Sequence, residues 1–150
     1  MKKILVLLFI VLSFVSCKKR KTATQAELDE KIITNYITDN KLNATATGSG
    51  LYYVISSQGT GAQPNASSNV TVNYKGSLKD GTVFDQSAPA GISFGLPGVI
   101  KGWQEGIPYF KKGGKGVLLI PSALGYGANA TGKIPANSVL IFDIELLNVN

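Results

Sequence analysis

Val70-Thr71-Val72-Asn73-Tyr74-Lys75-Gly76-Ser77-Leu78-Lys79-Asp80-Gly81-Thr82-Val83-Phe84-Asp85 is the stretch that decides the fold. Val70, Val72, Tyr74, Gly76 and Leu78 alternate with Thr71, Asn73, Lys75, Ser77 and Lys79. A period of two marks a strand buried on one face. Lys79-Asp80-Gly81 predicts a turn, with Gly81 free to take positive φ, and Thr82-Val83-Phe84 starts the return strand. Upstream, Leu51-Tyr52-Tyr53-Val54-Ile55 is rich in strand formers. Downstream, Ile92 to Leu96, Val117 to Ile120 and Val139 to Leu147 read as further strands, the last apolar on both faces near its middle. Only Ile100 to Tyr109 has a helical look in this region, and it is short. Strands, one short helix and glycine-rich connections predict an α+β domain, an antiparallel sheet wrapped around one helix.

A second helix precedes the sheet. Thr24-Gln25-Ala26-Glu27 is a capping box, in which hydroxyl and carboxylate satisfy free N–H groups at a helix start. Leu28, Ile32, Tyr36 and Ile37 follow at helical spacing. The prediction is a helix from about Gln25 to Lys41, its apolar stripe either docked on the main domain or forming a short dimer seam. Asn43 to Gly50 is small and polar and reads as a linker or turn.

The chain opens as an address. Lys2-Lys3, the apolar run Ile4 to Val15 and Ser16-Cys17 have the layout of a secretory signal. The run is too short to span a bilayer as a helix, which needs about 20 residues. Phe14-Val15-Ser16-Cys17 resembles the bacterial lipoprotein signal, with Phe14 where leucine is usual. That resemblance implies cleavage before Cys17, acylation of Cys17 and a membrane-anchored protein of the cell envelope facing the periplasm, the leaflet left open. The competing reading is an ordinary signal peptide with an accidental cysteine. Lys18-Lys19-Arg20-Lys21 would lie at the membrane surface, each gaining about 1 kcal/mol from anionic lipid, or serve as a solvated tether.

Length, charge and composition exclude much else. The 150 residues suffice for one domain with its own core. The formal charge of +6 comes from Lys2, Lys3, Lys18, Lys19, Arg20 and Lys21, so the rest of the chain is neutral. A nucleic-acid binder carries its basic face on the folded domain, so nucleic acid is not an expected partner. Cys17 is the single cysteine, which rules out an internal disulfide. There is no histidine, hence no imidazole base or metal ligand; neither metal nor cofactor is expected. Asn43, Asn65, Asn69 and Asn129 open Asn-x-Ser/Thr sequons, which read as chance beside a bacterial signal.

The opening strand pair resembles a known family. Val72-x-Tyr74-x-Gly76-x-Leu78-x-Asp80-Gly81-x-x-Phe84-Asp85 is similar to the signature of FKBP-type peptidyl-prolyl isomerases. Val99-Ile100-x-Gly102-Trp103-x-Glu105-Gly106, Ile120-Pro121, Gly125-Tyr126-Gly127, Ile134-Pro135 and Phe142-Asp143-x-Glu145-Leu146 follow in the family's order. The likeness covers about Leu51 to Val149, and Leu96-Pro97-Gly98-Val99 with Lys111-Lys112-Gly113-Gly114-Lys115 looks most like the exported bacterial branch. It implies an organisation of signal peptide 1–16, lipidated cysteine and basic tether 17–23, helix and linker 24–49, and isomerase domain 50–150. It further implies a cis-trans isomerase for X-Pro bonds of exported polypeptides, probed by macrolide inhibitors, and a monomer.

The resemblance also implies roles. Tyr74, Phe84 and Phe142 would wall a pocket with Val99 and Ile100 beside them, and Trp103 would floor it. Tyr126 would donate its hydroxyl to the substrate carbonyl. Asp85 would accept at the rim, Ile134 would edge the mouth, and Ile92 would stand where many relatives have an aromatic. Ala136 replaces a second proline common after Ile-Pro, and the loop from Ala128 to Lys133 is compact and polar; both would lie near the pocket mouth. Without that order of motifs these strand aromatics and aliphatics read first as core, Trp103 as packing, Tyr126 as an exposed loop aromatic and Asp85 as a turn cap. Two other functions stay open: a binding module that holds extended chains without catalysis, and an assembly lipoprotein that uses the domain for docking.

Overall fold

The computed structural model describes residues 22–150. The signal segment, Cys17 and the basic cluster 18–21 lie outside the described residues. The first helix, α1, spans Gln25–Asp39. Its capping box is formed: Glu27 N–H donates to Thr24 Oγ1 at 3.3 Å, and Thr24 N–H donates to the Glu27 carboxylate at 2.7 Å. That backbone bond, with one from the Thr24 hydroxyl, holds the Glu27 carboxyl below its ordinary range. The helix stops short of the predicted Lys41 in a Schellman turn, where Lys41 N–H donates to the Thr38 carbonyl at 3.1 Å and Leu42 N–H donates to the Ile37 carbonyl at 2.9 Å. Lys41 then takes φ 53°, outside helical space.

The strands are β1 Thr45–Ala46, β2 Tyr52–Ser57, β3 Asn69–Ser77, β4 Val83–Gln86, β5 Ile92–Gly95, β6 Lys115–Ile120 and β7 Leu140–Val149, with helix α2 at Lys101–Gly106 between β5 and β6. All pairings are antiparallel, in the order β1-β2-β6-β7-β3-β4, and β5 also pairs with β3. β5 takes the first half of β3, from Asn69 to Val72, and β4 takes Lys75 to Ser77. The segment predicted as linker, Asn43 to Gly50, contains β1. Thr45 and Ala46 are exposed, so no burial pattern betrays them, and they are strand only because the Tyr52–Tyr53 edge is available.

Period-two alternation sorts the sheet into two faces. Leu118, Ile120, Leu140, Phe142, Ile144, Leu146, Val70 and Val72 are buried in one cluster with Trp103 of α2, Ile107 and Phe110. α2 lies close against β6 because its sheet-facing positions are glycines one turn apart. A β-carbon at Gly102 would sit 2.4 Å from Ile120 Cγ2, and one at Gly106 would sit 2.7 Å from Leu118 Cδ2. The predicted helix through Tyr109 is α2 followed by a 3₁₀ turn, Ile107–Tyr109, where Pro108 supplies no N–H to continue the α ladder.

The opposite face is covered by α1. Ile33 is fully buried against Leu119, Val139 and Ile141, so β7 is apolar on both faces at its start, Leu140 to Phe142, and not near its middle, where Asp143 and Glu145 take the α1 side. The predicted stripe is rotated: Leu28 is 45% exposed, while Ile33 and Asp29 are buried and Ile32, Tyr36 and Ile37 pack around them. Away from α1 this face turns to charge, with Lys75–Asp143 at 3.3 Å and Lys115–Glu145 at 2.9 Å. Exposed pairs of this kind contribute at most about 1 kcal/mol each. Among the described residues no helix is long and apolar enough to cross a membrane.

Candidate functional site

A cavity of about 630 Å³ opens between α2 and the strands β3, β4, β5 and β7. Trp103 lies at its base, 5% exposed. Three rings surround the indole: Tyr74 edge-on with centroids 5.0 Å apart, Phe142 edge-on at 5.1 Å and Phe94 tilted at 5.2 Å. Phe84 closes the far wall edge-on to Phe142 at 5.5 Å. Edge-to-face contacts put the positive rim of one ring on the negative face of another, worth about 0.5–1.5 kcal/mol beyond burial. The walls are therefore stiff as well as apolar. The Trp103 indole Nε1 is buried with no hydrogen-bond partner among the described residues.

Local sequence explains the arrangement. Tyr74 on β3 pairs with Ile144 on β7, and Gly76 pairs with Phe142. A β-carbon at Gly76 would lie 2.5 Å from the Phe84 ring and 2.7 Å from Phe142. Glycine at this register position is what allows the two rings to meet across β3. The glycines that seat α2 on β6 likewise bring Trp103 to the cavity floor.

The polar groups are few. The Tyr74 hydroxyl donates to Asp85 Oδ2 at 2.6 Å. Burial first, then this bond and the carboxylate's charge, push the Tyr74 phenol up to about 12. Tyr126, 38% exposed, stands at the mouth on the loop after the 3₁₀ turn Ser122–Leu124. The Ser122 carbonyl accepts N–H bonds from Gly125 at 3.0 Å and Gly127 at 2.8 Å, so both neighbours of Tyr126 are tied to one atom. Ile134 is buried in the wall at the end of a tight turn, where Thr131 and Ile134 exchange backbone bonds of 2.8 and 2.9 Å. Among the described residues no group of three or more His, Cys, Asp or Glu is placed to hold a metal.

Tyr74, Phe84, Asp85, Ile92, Val99, Ile100, Trp103, Tyr126, Ile134 and Phe142 all line this one cavity. Ile92 is 51% exposed and forms the rim more than the wall. Cys17, the predicted lipid site, lies outside the described residues. Phe94 and Gly98 also line the cavity and are not among the expected site residues. Phe94 was within reach of the sequence, since it lies two residues beyond Ile92 on β5 and so shares its face. Thr131, Gly132 and Lys133 belong to the loop 128–133 expected near the mouth, and the turn between Thr131 and Ile134 brings them to the lining.

Comparison with known proteins gives the same picture. The family model for FKBP-type peptidyl-prolyl cis-trans isomerase matches residues 60–147. The FKBP-type peptidyl-prolyl cis-trans isomerase FkpA of Buchnera aphidicola subsp. Schizaphis graminum is 54% identical over 69% of this chain and 42% of its own length. FkpA of Escherichia coli K12 is 50% identical over 69% of this chain and 39% of its own length. The chain thus spans about two-fifths of these curated relatives. Among solved structures, FkpA from Escherichia coli superposes with a TM-score of 0.74 at 42% identity, covering 84% of this chain and 61% of that one. A peptidyl-prolyl cis-trans isomerase from Pseudomonas syringae superposes with a TM-score of 0.71 at 33% identity, over 87% of this chain and 99% of that one. With a family match across most of the sheet and a solved relative covered almost end to end, this chain belongs to the FKBP-type peptidyl-prolyl cis-trans isomerases.

Proposed function

We propose that the chain catalyses cis-trans rotation about X-Pro bonds in exported polypeptides and so assists their folding. The observation that carries this reading is the aromatic cavity floored by Trp103 and walled by Tyr74, Phe84, Phe94 and Phe142. Rotation has a barrier of about 18–20 kcal/mol, because amide resonance is lost on the way. No bond is made or broken, so neither nucleophile nor titrating base is required. The twisted amide is less dipolar than the planar one. An apolar, water-poor cleft therefore stabilises it relative to the ground state, and that difference is what accelerates the reaction.

In this reading the proline ring rests on Trp103 between the edge-on rings. Tyr126 donates its hydroxyl to the substrate carbonyl. Asp85 holds the Tyr74 hydroxyl, which fixes that ring as a wall. Val99, Ile100 and Ile134 bound the ring's exit, and Ile92 widens the rim. The partners are proline-containing polypeptides and macrolides of the FKBP-inhibitor type. The domain acts as a monomer, borne on α1 and tethered through an acylated Cys17 to the periplasmic side of a membrane.

The experiment is a proline-isomerisation assay on residues 22–150, with and without a macrolide of that class. Turnover that the macrolide abolishes supports the proposal, and absence of turnover from well-folded protein defeats it. The anchor has its own test: Cys17→Ser should move the full-length protein from the detergent phase to the aqueous phase. Identical partitioning of the two forms would remove the anchor from the proposal.

A further inference from the structure

Asp29 is a buried carboxylate that the cavity chemistry does not use. It lies on α1, 1% exposed, outside the family match at residues 60–147. Its Oδ2 accepts the Ser122 backbone N–H at 2.8 Å and the Ser122 hydroxyl at 2.6 Å, while its Oδ1 accepts from Gln25 Nε2 at 2.6 Å. Ser122 is itself 2% exposed, and its carbonyl holds the N–H groups of Gly125 and Gly127. A chain of bonds therefore runs from the N-terminal helix through one residue to both sides of Tyr126. A buried carboxylate is tolerated only where it is well supplied with donors. Here the donors are the pivot of the mouth loop and a residue of α1 itself.

We infer that Asp29 is a positioning residue for Tyr126, so that docked α1 is a working part of the isomerase site. The inference rests on the isomerase reading and extends it to a helix outside the matched segment. Two donors of Ser122 meet on one oxygen of Asp29, so Asp29 fixes Ser122 more firmly than water could. The loop then presents the Tyr126 hydroxyl with little ordering left to do when substrate enters.

A double-mutant cycle tests it. Asp29→Ala should lower kcat/KM by up to about tenfold, the range expected when one substrate hydrogen bond is misplaced. The same change in a Tyr126→Phe background should cost less than about twofold, because the hydroxyl it serves is already gone. Equal losses in the two backgrounds, or no loss in the first, would overturn the inference. Unfolding midpoints measured beside the rates keep stability separate from positioning.

If Asp29→Ala does not fold, Ser122→Ala takes its place, since it removes the hydroxyl bond alone and should show the same dependence on Tyr126. Asp29→Asn should restore most of the rate, because its amide oxygen can face Ser122 while the Gln25 amide turns to accept. No recovery in a folded Asp29→Asn protein would count against positioning. Should the wild type show no turnover, the isomerase reading fails by itself. The same cycle is then read as macrolide affinity through the fluorescence of Trp103, the sole tryptophan, where additive losses again overturn the inference.

Discussion

A methyl group added at Gly76 would meet the Phe84 ring at 2.5 Å and Phe142 at 2.7 Å, so the two rings hold their places only while that position stays bare. Gly76→Ala should destabilise by the ordinary overpacking cost of about 1–3 kcal/mol, and it should weaken macrolide binding because the wall must shift. Urea unfolding and inhibitor titration read the two effects; unchanged inhibitor affinity would contradict the account. Phe142, 4% exposed, is both wall and core. Phe142→Ala should cost about 3–5 kcal/mol of stability and most of the activity. Tyr126→Phe removes one hydrogen bond worth about 0.5–1.5 kcal/mol, so kcat/KM should fall about tenfold or less with the unfolding midpoint almost unmoved. The chain has no histidine, and activity should be nearly flat from about pH 6 to 8; a bell-shaped profile there would demand an acid and base that the site lacks. At high pH the sign is set by Tyr74. Its phenol is pushed up to about 12 by burial and Asp85, so the folded state keeps a proton that the unfolded chain loses near ~10. Stability should fall as pH rises from about 10 to 12, and Tyr74→Phe should flatten that decline.

At the scale of elements, α1 shows where sequence reading succeeds and where it stops. Its start was legible because a capping box is local chemistry between Thr24 and Glu27. Its rotation was not, because the buried face is chosen by what the sheet offers. Leu119, Val139 and Ile141 make the socket for Ile33, and two of the three Asp29 donors lie 93 residues away at Ser122. The strand β3 was legible because alternation and a turn belong to adjacent residues, and the order of motifs led to the cavity lining. β1 was not, since two exposed residues carry no period. The rotation can be checked by a pair of variants. Ile33→Ala should cost about 2–5 kcal/mol, whereas Leu28→Ala, at 45% exposure, should stay within about 0.5 kcal/mol. Equal costs by urea unfolding would mean that α1 docks through another face.

For the molecule as a whole, the strand order governs when a native structure can exist. β7, Leu140–Val149, lies between β6 and β3, and β6 in turn reaches back to β2. Neighbours in space are thus distant in sequence, and such topologies form slowly because long loops close before contacts reward them. β3 and β6 each lack a partner until β7 is present, and Phe142 travels with it. A nascent chain delivered from its N-terminus would therefore gain its binding cleft only once β7 has been delivered. Residues 22–139 should lack a cooperative melting transition, while 22–150 should melt in one step; a sharp transition in the shorter fragment would contradict this. Until β7 arrives, the proposed folding helper would be as much in need of shelter as the chains it is proposed to serve.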